Sequence, residues 1–295
     1  MKPIAYLNGK FLPLARAEVS ILDRGFLFGD GIYEVVAVHG GRIFAIEAHV
    51  RRFFKSARGI QLPVPVTRDG LRRVLAGIVR RNHLREGGVY LELTRGVAPR
   101  THAFPREVRP TLAGFPVPEP AGFADLRMRG RRVITVRDIR WARCDVKNVS
   151  LLANVLAKEE AHRRGADEAV FTDGKLVFEG SSSNIFAVLA RGGRPRVVTP
   201  PLGAKILPGV TRGRVLAILR KHGIPAVERP LGYREMLAAK EVFLTGTLIR
   251  VMPILRVDGR RIGTGRPGPI TGWVAGAYAA GMRRATRGAG SSLYA

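Results

Sequence analysis

The sequence predicts a two-domain protein of the α+β or α/β class, with antiparallel strands in both halves and helices on the flanks of the sheets, and three observations lead there. At 295 residues the chain exceeds what a single hydrophobic core usually serves, so two domains are expected. Four turn dipeptides, Asn8-Gly9, Gly40-Gly41, Asp173-Gly174 and Asp258-Gly259, each stand between apolar or alternating runs, the pattern of tight hairpins. The stretch from Gly114 to Gly122 holds three prolines and two glycines, poor material for regular structure, and reads as a linker.

Taken in order, the helical spacing of Val50, Phe53, Phe54 and Ala57, and of Leu71, Val74, Leu75, Ile78 and Val79, predicts two amphipathic helices. Alternation over Val89 to Thr94 predicts a strand. Past the linker, Arg132 to Val136 reads as a strand and 149–164 as a helix stopped by Gly165. Ala169 to Phe178 reads as a hairpin, followed by a strand from Ile185 to Leu189. Further helices are expected from near Thr211 and near Ile270, the last presenting Ile270, Trp273, Val274, Ala277, Tyr278 and Gly281. The resulting division is a small domain over 1–114, a linker over 115–122, a large domain over 123–287 and a loose tail over 288–295.

Composition narrows the function classes. Hydrophobic residues make up 46% and charged residues 25%, as in globular proteins, and no apolar run reaches the roughly 20 residues of a membrane span. The N-terminus meets the Asn8-Gly9 turn before an apolar segment develops, so it does not read as a signal peptide. With Cys144 as the lone cysteine, no intrachain disulfide can form, and a cytoplasmic location is expected. The net charge of +27 attracts polyanions in general, yet the 41 arginines and nine lysines are spread along the chain without a nucleic-acid-binding motif. Pairs such as Arg72-Arg73 and Arg163-Arg164 read as solvated faces, and nucleic acid is not expected as the main ligand.

Among the few lysines, Lys147 follows a strand and precedes a helix, where a side chain can project from a rigid edge. A lysine there can bond covalently to a carbonyl, although its spacing alone better suits a solvated loop lysine. Glu179 opens Gly180-Ser181-Ser182-Ser183-Asn184; a carboxylate so placed could keep a pyridine nitrogen protonated, or could simply precede a turn. Pro208-Gly209-Val210-Thr211 precedes an amphipathic run, so its amides suit a phosphate as well as an ordinary helix start. Thr245-Gly246-Thr247 invites the same two readings. Arg52 falls off its helix's apolar stripe, as a solvated or a phosphate-binding arginine would. Arg100 and His102, one residue apart on a loop, suit a carboxylate. No metal site is expected.

In this order the segments resemble the fold-type IV pyridoxal-phosphate enzymes, and within them the D-amino acid aminotransferases. The resemblance runs from about Tyr6 to Val257 and is carried most specifically by Asp23 to Val36, Pro99 to Pro105, Arg140 to Lys147 and Glu179 to Asn184. It implies a large domain with a mostly antiparallel pseudo-barrel sheet. It also implies that Lys147 is the Schiff-base lysine and acid/base, and Glu179 the partner of the ring nitrogen. Arg52, Val210, Thr211 and Thr247 correspond to the phosphate contacts, Leu207 to the apolar residue under the ring, and Ser182 and Ser183 to further cofactor contacts. Tyr33, Arg100 and His102 correspond to the group that takes the substrate carboxylate, with Arg100 and His102 lent by the neighbouring subunit of a homodimer. The implied reaction exchanges an amino group between a D-amino acid, of the D-alanine or D-glutamate kind, and a 2-oxo acid such as pyruvate or 2-oxoglutarate.

One segment departs from the pattern. Leu248-Ile249-Arg250 stands where the relatives carry small or polar residues and often an acid, which leaves the side-chain preference open. Rivals of the same fold are branched-chain L-amino acid transamination, (R)-amine transamination and aminodeoxychorismate lyase chemistry. Outside enzymology, the rivals are a basic nucleic-acid-binding protein and a catalytically idle relative.

Overall fold

The protein is described here by a computed structural model covering residues 2–119, 129–192 and 194–287. These fall into two compact units. The first holds 2–119, 146–150 and 282–287, and the second holds 129–145, 151–192 and 194–281.

In the first unit, β1 (Ile4–Leu7), β2 (Lys10–Pro13), β3 (Gly31–His39), β4 (Arg42–Phe44), β5 (Glu86–Thr94) and β6 (Thr111–Pro118) form one sheet in the order β2-β1-β6-β5-β3-β4. Every pairing in it is antiparallel. The two hairpins turn at Asn8-Gly9 and Gly40-Gly41 as expected, the loop residues adopting positive φ. Three helices, α1 (Arg24–Phe28), α2 (Ile46–Gly59) and α3 (Arg68–Arg81), complete the unit. Val50, Phe53 and Ala57 of α2 and Leu71, Leu75 and Ile78 of α3 join Ile32, Val36, Val89 and Leu91 of the sheet in one core. Fully burying a side chain such as Phe53 contributes about 1.5–3 kcal/mol.

Much of the expected linker over 115–122 is strand instead. Residues 115–118 belong to β6 and pair with β5, Phe115 opposite Tyr90 and Val117 opposite Gly88; residues 120–122 lie outside the described residues. Pro116 and Pro118 are tolerated because β1 meets β6 only at Ala113 and Gly114, which leaves the outer side of the proline-bearing half without a strand to bond.

The second unit is built on a closed ring of strands. β7 (Arg131–Arg137), β8 (Glu168–Thr172), β9 (Leu176–Gly180), β10 (Asn184–Arg191), β14 (Glu241–Gly246) and β15 (Arg250–Val257) pair in the order β10-β14-β15-β7-β8-β9, and the pair Glu179–Asn184 joins β9 back to β10. The barrel is mixed rather than wholly antiparallel, since β7 runs parallel to both β15 and β8. β11 (Arg194–Thr199), β12 (Ala226–Glu228), β13 (Leu231–Gly232) and β16 (Arg260–Arg261) extend it. Its interior is filled by Val133, Val170, Ile185, Ala187, Leu244, Met252 and Ile254. Hairpins turn at Asp173-Gly174 and Asp258-Gly259 as expected.

Helix α4 (Leu152–Arg163) packs Ala157 and Ala161 against Ile134, Ala169 and Phe171, and ends before Gly165. Its opposite side exposes Leu152, Val155 and Leu156, a spacing that puts all three on one helical stripe. Two further helices are α5 (Val210–Lys221) and the short α6 (Tyr233–Leu237), which the sequence reading lacked. The last, α7 (Pro269–Arg287), buries Thr271, Val274, Tyr278 and Met282, so its inward face is rotated from the expected one and Trp273 is exposed against His222. The expected tail over 288–295 lies outside the described residues. No helix of the described residues is long and apolar enough to cross a membrane.

Candidate active site

Lys147 is placed by the first unit, although the sequence reading put it in the second domain beside a strand. β7 ends at Arg137, and the intervening residues run as turns before 146–150 reaches the edge of β3. There the Tyr33 N–H donates to the Lys147 carbonyl at 2.9 Å, the Val149 N–H to the Gly31 carbonyl at 3.1 Å, and Ile32 bridges Asn148. The Lys147 N–H donates to Ser56 Oγ of α2 at 3.1 Å, and Val146 is buried in the core. The backbone of Lys147 is thus anchored on both sides. Its Nζ lies over the Tyr33 ring, 3.8 Å from the centroid.

Beneath Tyr33, on the core face of β3, Glu34 accepts from Arg52 Nε at 2.9 Å and Arg52 Nη2 at 2.6 Å, and lies 3.0 Å from His49 Nδ1. All three are buried, so Arg52 is not the solvated arginine its place off the stripe suggests. Two of its guanidinium nitrogens face Glu34, which fixes the plane of the group. Burial pushes the Glu34 carboxyl up, yet Arg52 and His49 outweigh it and hold the group far below the usual carboxylate range. Burial holds the His49 imidazole below its ordinary value, with Glu34 pulling against it.

A buried ion pair is costly to break from one side. Glu34→Gln is expected to lower stability by about 3–5 kcal/mol at neutral pH, because Arg52 stays buried without that carboxylate. Since the folded-state value of Glu34 is depressed, its contribution is complete above about 4.5 and is lost as pH falls from there. Urea titrations at pH 7 and pH 4 check both points: the gap between wild type and variant should narrow at the lower pH.

The loop bearing Arg100 and His102 is shaped by Arg24. Its guanidinium donates to the carbonyls of Thr101 at 2.6 Å, Ala103 at 3.4 Å and His102 at 3.4 Å. Asp30 holds Arg24 and Arg95 together, each Nε at 2.8 Å, and the Arg95 guanidinium stacks 3.6 Å from the Phe104 ring centroid. Asp23 caps α1, and Gly29 ends it at φ 64°, where a side chain would also collide with Ser150. Arg100 and His102 contact Phe28 and remain exposed; among the described residues the chain does not join them to Tyr33.

In the second unit Glu179 stands at the pair that closes the barrel. Its Oε1 accepts from Arg140 Nη1 at 2.5 Å, and its Oε2 from Asn184 Nδ2 and the Leu207 N–H, both at 3.0 Å. Arg140 is itself clamped by Asp138 through Nε at 2.9 Å and Nη2 at 3.0 Å. Burial opposes its charge, but Asp138 and Glu179 hold the guanidinium above its ordinary value. Asn184 Nδ2 also donates to the Leu207 carbonyl at 2.9 Å, so Leu207 is tied to Glu179 directly and through Asn184.

Helix α5 begins at Val210 and Thr211 with Gly209 as an N-cap that offers no side-chain bond. Glycine is required there, because a Cβ would come within 2.0 Å of Asn184 Oδ1. Register pairs Asn184 with Thr245, which brings Gly246-Thr247 to the end of the same strand pair. The hydroxyls of Ser183 and Thr245 are buried without a hydrogen-bond partner among the described residues. Ser182 is exposed and donates to Glu168 at 3.2 Å. Orphaned hydroxyls, uncapped helix amides and an oriented carboxylate fit a ligand that presents phosphate oxygens and a protonatable ring. Arg140, Asn184, Glu34 and His49 have no role of their own in the sequence reading, although the first three lie within the segments that carry the family resemblance and His49 lies one helical turn before Arg52.

Comparison with known proteins agrees. The profile of the class IV amino-transferases matches residues 31–257. A D-alanine aminotransferase of Staphylococcus haemolyticus is 39% identical over 267 residues, 90% of this chain and 93% of that protein. The Escherichia coli branched-chain amino acid aminotransferase superposes with a TM-score of 0.88 at 23% identity, covering 96% of this chain and 95% of that one, which speaks for the fold. The branched-chain aminotransferase of the thermophilic archaeon Thermoproteus uzoniensis, solved with norvaline, gives 0.82 at 30% identity, covering 94% and 93%. A further branched-chain amino acid aminotransferase, complexed with N-(5'-phosphopyridoxyl)-L-glutamate, gives 0.84 at 27% identity, covering 95% and 93%. A profile match that starts at β3, takes in the Lys147 and Glu179 segments and runs to the end of β15 places this chain in the class IV aminotransferase family.

Proposed function

We propose that the chain transfers amino groups between D-amino acids and 2-oxo acids with pyridoxal phosphate as cofactor. The observation that carries this reading is Lys147 held at both backbone ends with its amine over Tyr33, in a chain 39% identical to a D-alanine aminotransferase. The cofactor supplies an aldehyde that bonds reversibly to amines and an electron-poor ring that draws electrons from the substrate α-carbon. Lys147 Nζ would hold that aldehyde and, once an incoming amino group had freed it, would take up and return the proton of the substrate α-carbon. Glu179 keeps a proton on the ring nitrogen, its orientation fixed by Arg140 and Asn184. Val210, Thr211 and Thr247 offer amides and hydroxyls to the phosphate, Arg52 its charge, and Ser182 and Ser183 further polar contacts. Leu207 supports the ring.

Tyr33 with Arg100 and His102 takes the substrate carboxylate, and where it is held decides which enantiomer turns its α-hydrogen toward Lys147. Because Arg100 and His102 are exposed in their own chain, this reading includes a homodimer in which a partner's loop completes the site. Ile21, Leu22, Phe26, Val97 and Phe104, all exposed and on adjoining segments, give such a dimer an apolar face in the first unit. The α4 stripe gives another. A cytoplasmic setting belongs to the same reading and is supported by the single, buried cysteine.

A second reading, L-branched-chain transamination, is favoured by the solved structures that share the fold. Titrating the yellow holoenzyme with matched D- and L-alanine, and with D- and L-leucine, separates the two. Bleaching by the D-enantiomers and a sedimentation mass of twice the chain are expected; bleaching by L-leucine alone overturns the stereochemical assignment.

A further inference from the structure

Nearly every buried or half-buried carboxylate of the first unit has an evident charge or helix partner. Asp30 serves Arg24 and Arg95, Glu34 serves Arg52 and His49, and Asp23 caps α1 while accepting from Thr111. Glu92 differs. It is half-buried on β5, and its one hydrogen bond among the described residues comes from the Tyr90 hydroxyl at 2.8 Å; no described arginine or lysine pairs with it. Glu92 thus has neither the cation that serves Asp30 and Glu34 nor the helix amide that serves Asp23, and a half-buried carboxylate so placed is costly to leave ionised. Burial pushes its carboxyl up; the Tyr90 hydroxyl opposes this and the charge of Asp23 adds to it.

Position gives the exception a use. In the β3–β5 register Glu92 stands directly opposite Tyr33, and Tyr90 opposite Val35. Opposed residues of an antiparallel pair share a face with Cβ atoms about 4.5–5.5 Å apart. Ile32, Glu34, Leu91 and Leu93 fill the core face, so Tyr33 and Glu92 lie on the other one. The Tyr33 ring stacks on Tyr90 at 5.6 Å between centroids, and it carries the Lys147 amine 3.8 Å from its own centroid. The amine thus rests on Tyr33, and Glu92 is the cross-strand neighbour of Tyr33 on the same face, its carboxylate held by Tyr90. A group attached at Lys147 is therefore separated from Glu92 by the residue paired opposite it, Tyr33.

We propose that Glu92 is a specificity-determining residue that disfavours donors and acceptors with a second carboxylate, so that D-alanine is preferred to D-glutamate and pyruvate to 2-oxoglutarate. The inference rests on the transaminase reading above and deepens it. Its physical basis is repulsion between like charges at close range beside a half-buried carboxylate.

The test is the ratio of kcat/KM for D-glutamate to that for D-alanine in holoenzyme of wild type, Glu92→Gln and Glu92→Asp. Glu92→Gln keeps the shape and an acceptor for Tyr90, and is expected to raise the ratio by about tenfold or more, chiefly through the KM of D-glutamate. Glu92→Asp keeps the charge and should stay near wild type. A ratio within about twofold of wild type in Glu92→Gln, or an equal rise in Glu92→Asp, overturns the proposal. Wild type alone also tests it, since a preference for 2-oxoglutarate over pyruvate is incompatible with it whatever the variants do. If only L-amino acids are turned over, the stereochemical reading fails separately, and Glu92 is judged by the same limits on L-glutamate against L-norvaline.

Discussion

Lys147→Ala is expected to abolish transamination, with turnover reduced by at least about 10²–10⁴-fold, the range assigned to one positioned acid–base group, and with the covalent anchor lost besides. The fold should survive. What holds the segment is the backbone of Lys147, bonded to Tyr33 and Ser56, together with buried Val146, and none of these needs the amine. Lys147→Arg separates charge from nucleophile: a guanidinium keeps a cation near Tyr33 but is never neutral, so it should be as inactive as the alanine variant. Borohydride reduction followed by peptide mass mapping should find a pyridoxyl group at position 147 in wild type and in neither variant. Retention of a tenth of wild-type turnover by Lys147→Ala would falsify the role given to this amine.

Glu179→Gln should be the next most damaging change, lowering kcat by about 10²-fold with a smaller effect on KM, because its charge matters most when electrons flow into the ring. The substitution keeps the size but turns one acceptor into a donor. That donor faces Arg140, or else Asn184 and the Leu207 N–H, which all donate already. Breaking such a buried pair from one side costs about 3–5 kcal/mol, and the lower end is expected because Arg140 keeps its two bonds to Asp138. Denaturant melts and steady-state kinetics on the same preparation distinguish lost chemistry from lost fold. A kcat within about threefold of wild type would remove Glu179 from the mechanism.

Local signals carried a large part of this structure. Asn8-Gly9, Gly40-Gly41, Asp173-Gly174 and Asp258-Gly259 turn hairpins because positive φ, which all of these residues but Asp173 adopt, is cheap for them and the flanking strands demand it. The stripes of α2 and α3 face the core because their period matches the helix. The proline-rich stretch misled for a complementary reason: proline removes a donor, and whether that forbids a strand depends on which neighbour lies on that side, a long-range fact. The inward face of α7 was likewise set by what it packs on, so Trp273 turned outward while Thr271 and Met282 turned in.

By itself, then, the order of residues determined most of the elements and their hairpins, since these follow from dihedral preference and period within a few neighbours. Only tertiary structure decided who meets whom. Arg52 faces Glu34 from a different element, Arg140 reaches Glu179 across 39 positions of chain, and Lys147 is fastened to β3 rather than to the strand that precedes it. Each of these contacts joins charged or polar groups that are costly to bury alone, and the partner that makes burial possible is chosen by the fold, at distances in sequence that no local pattern encodes.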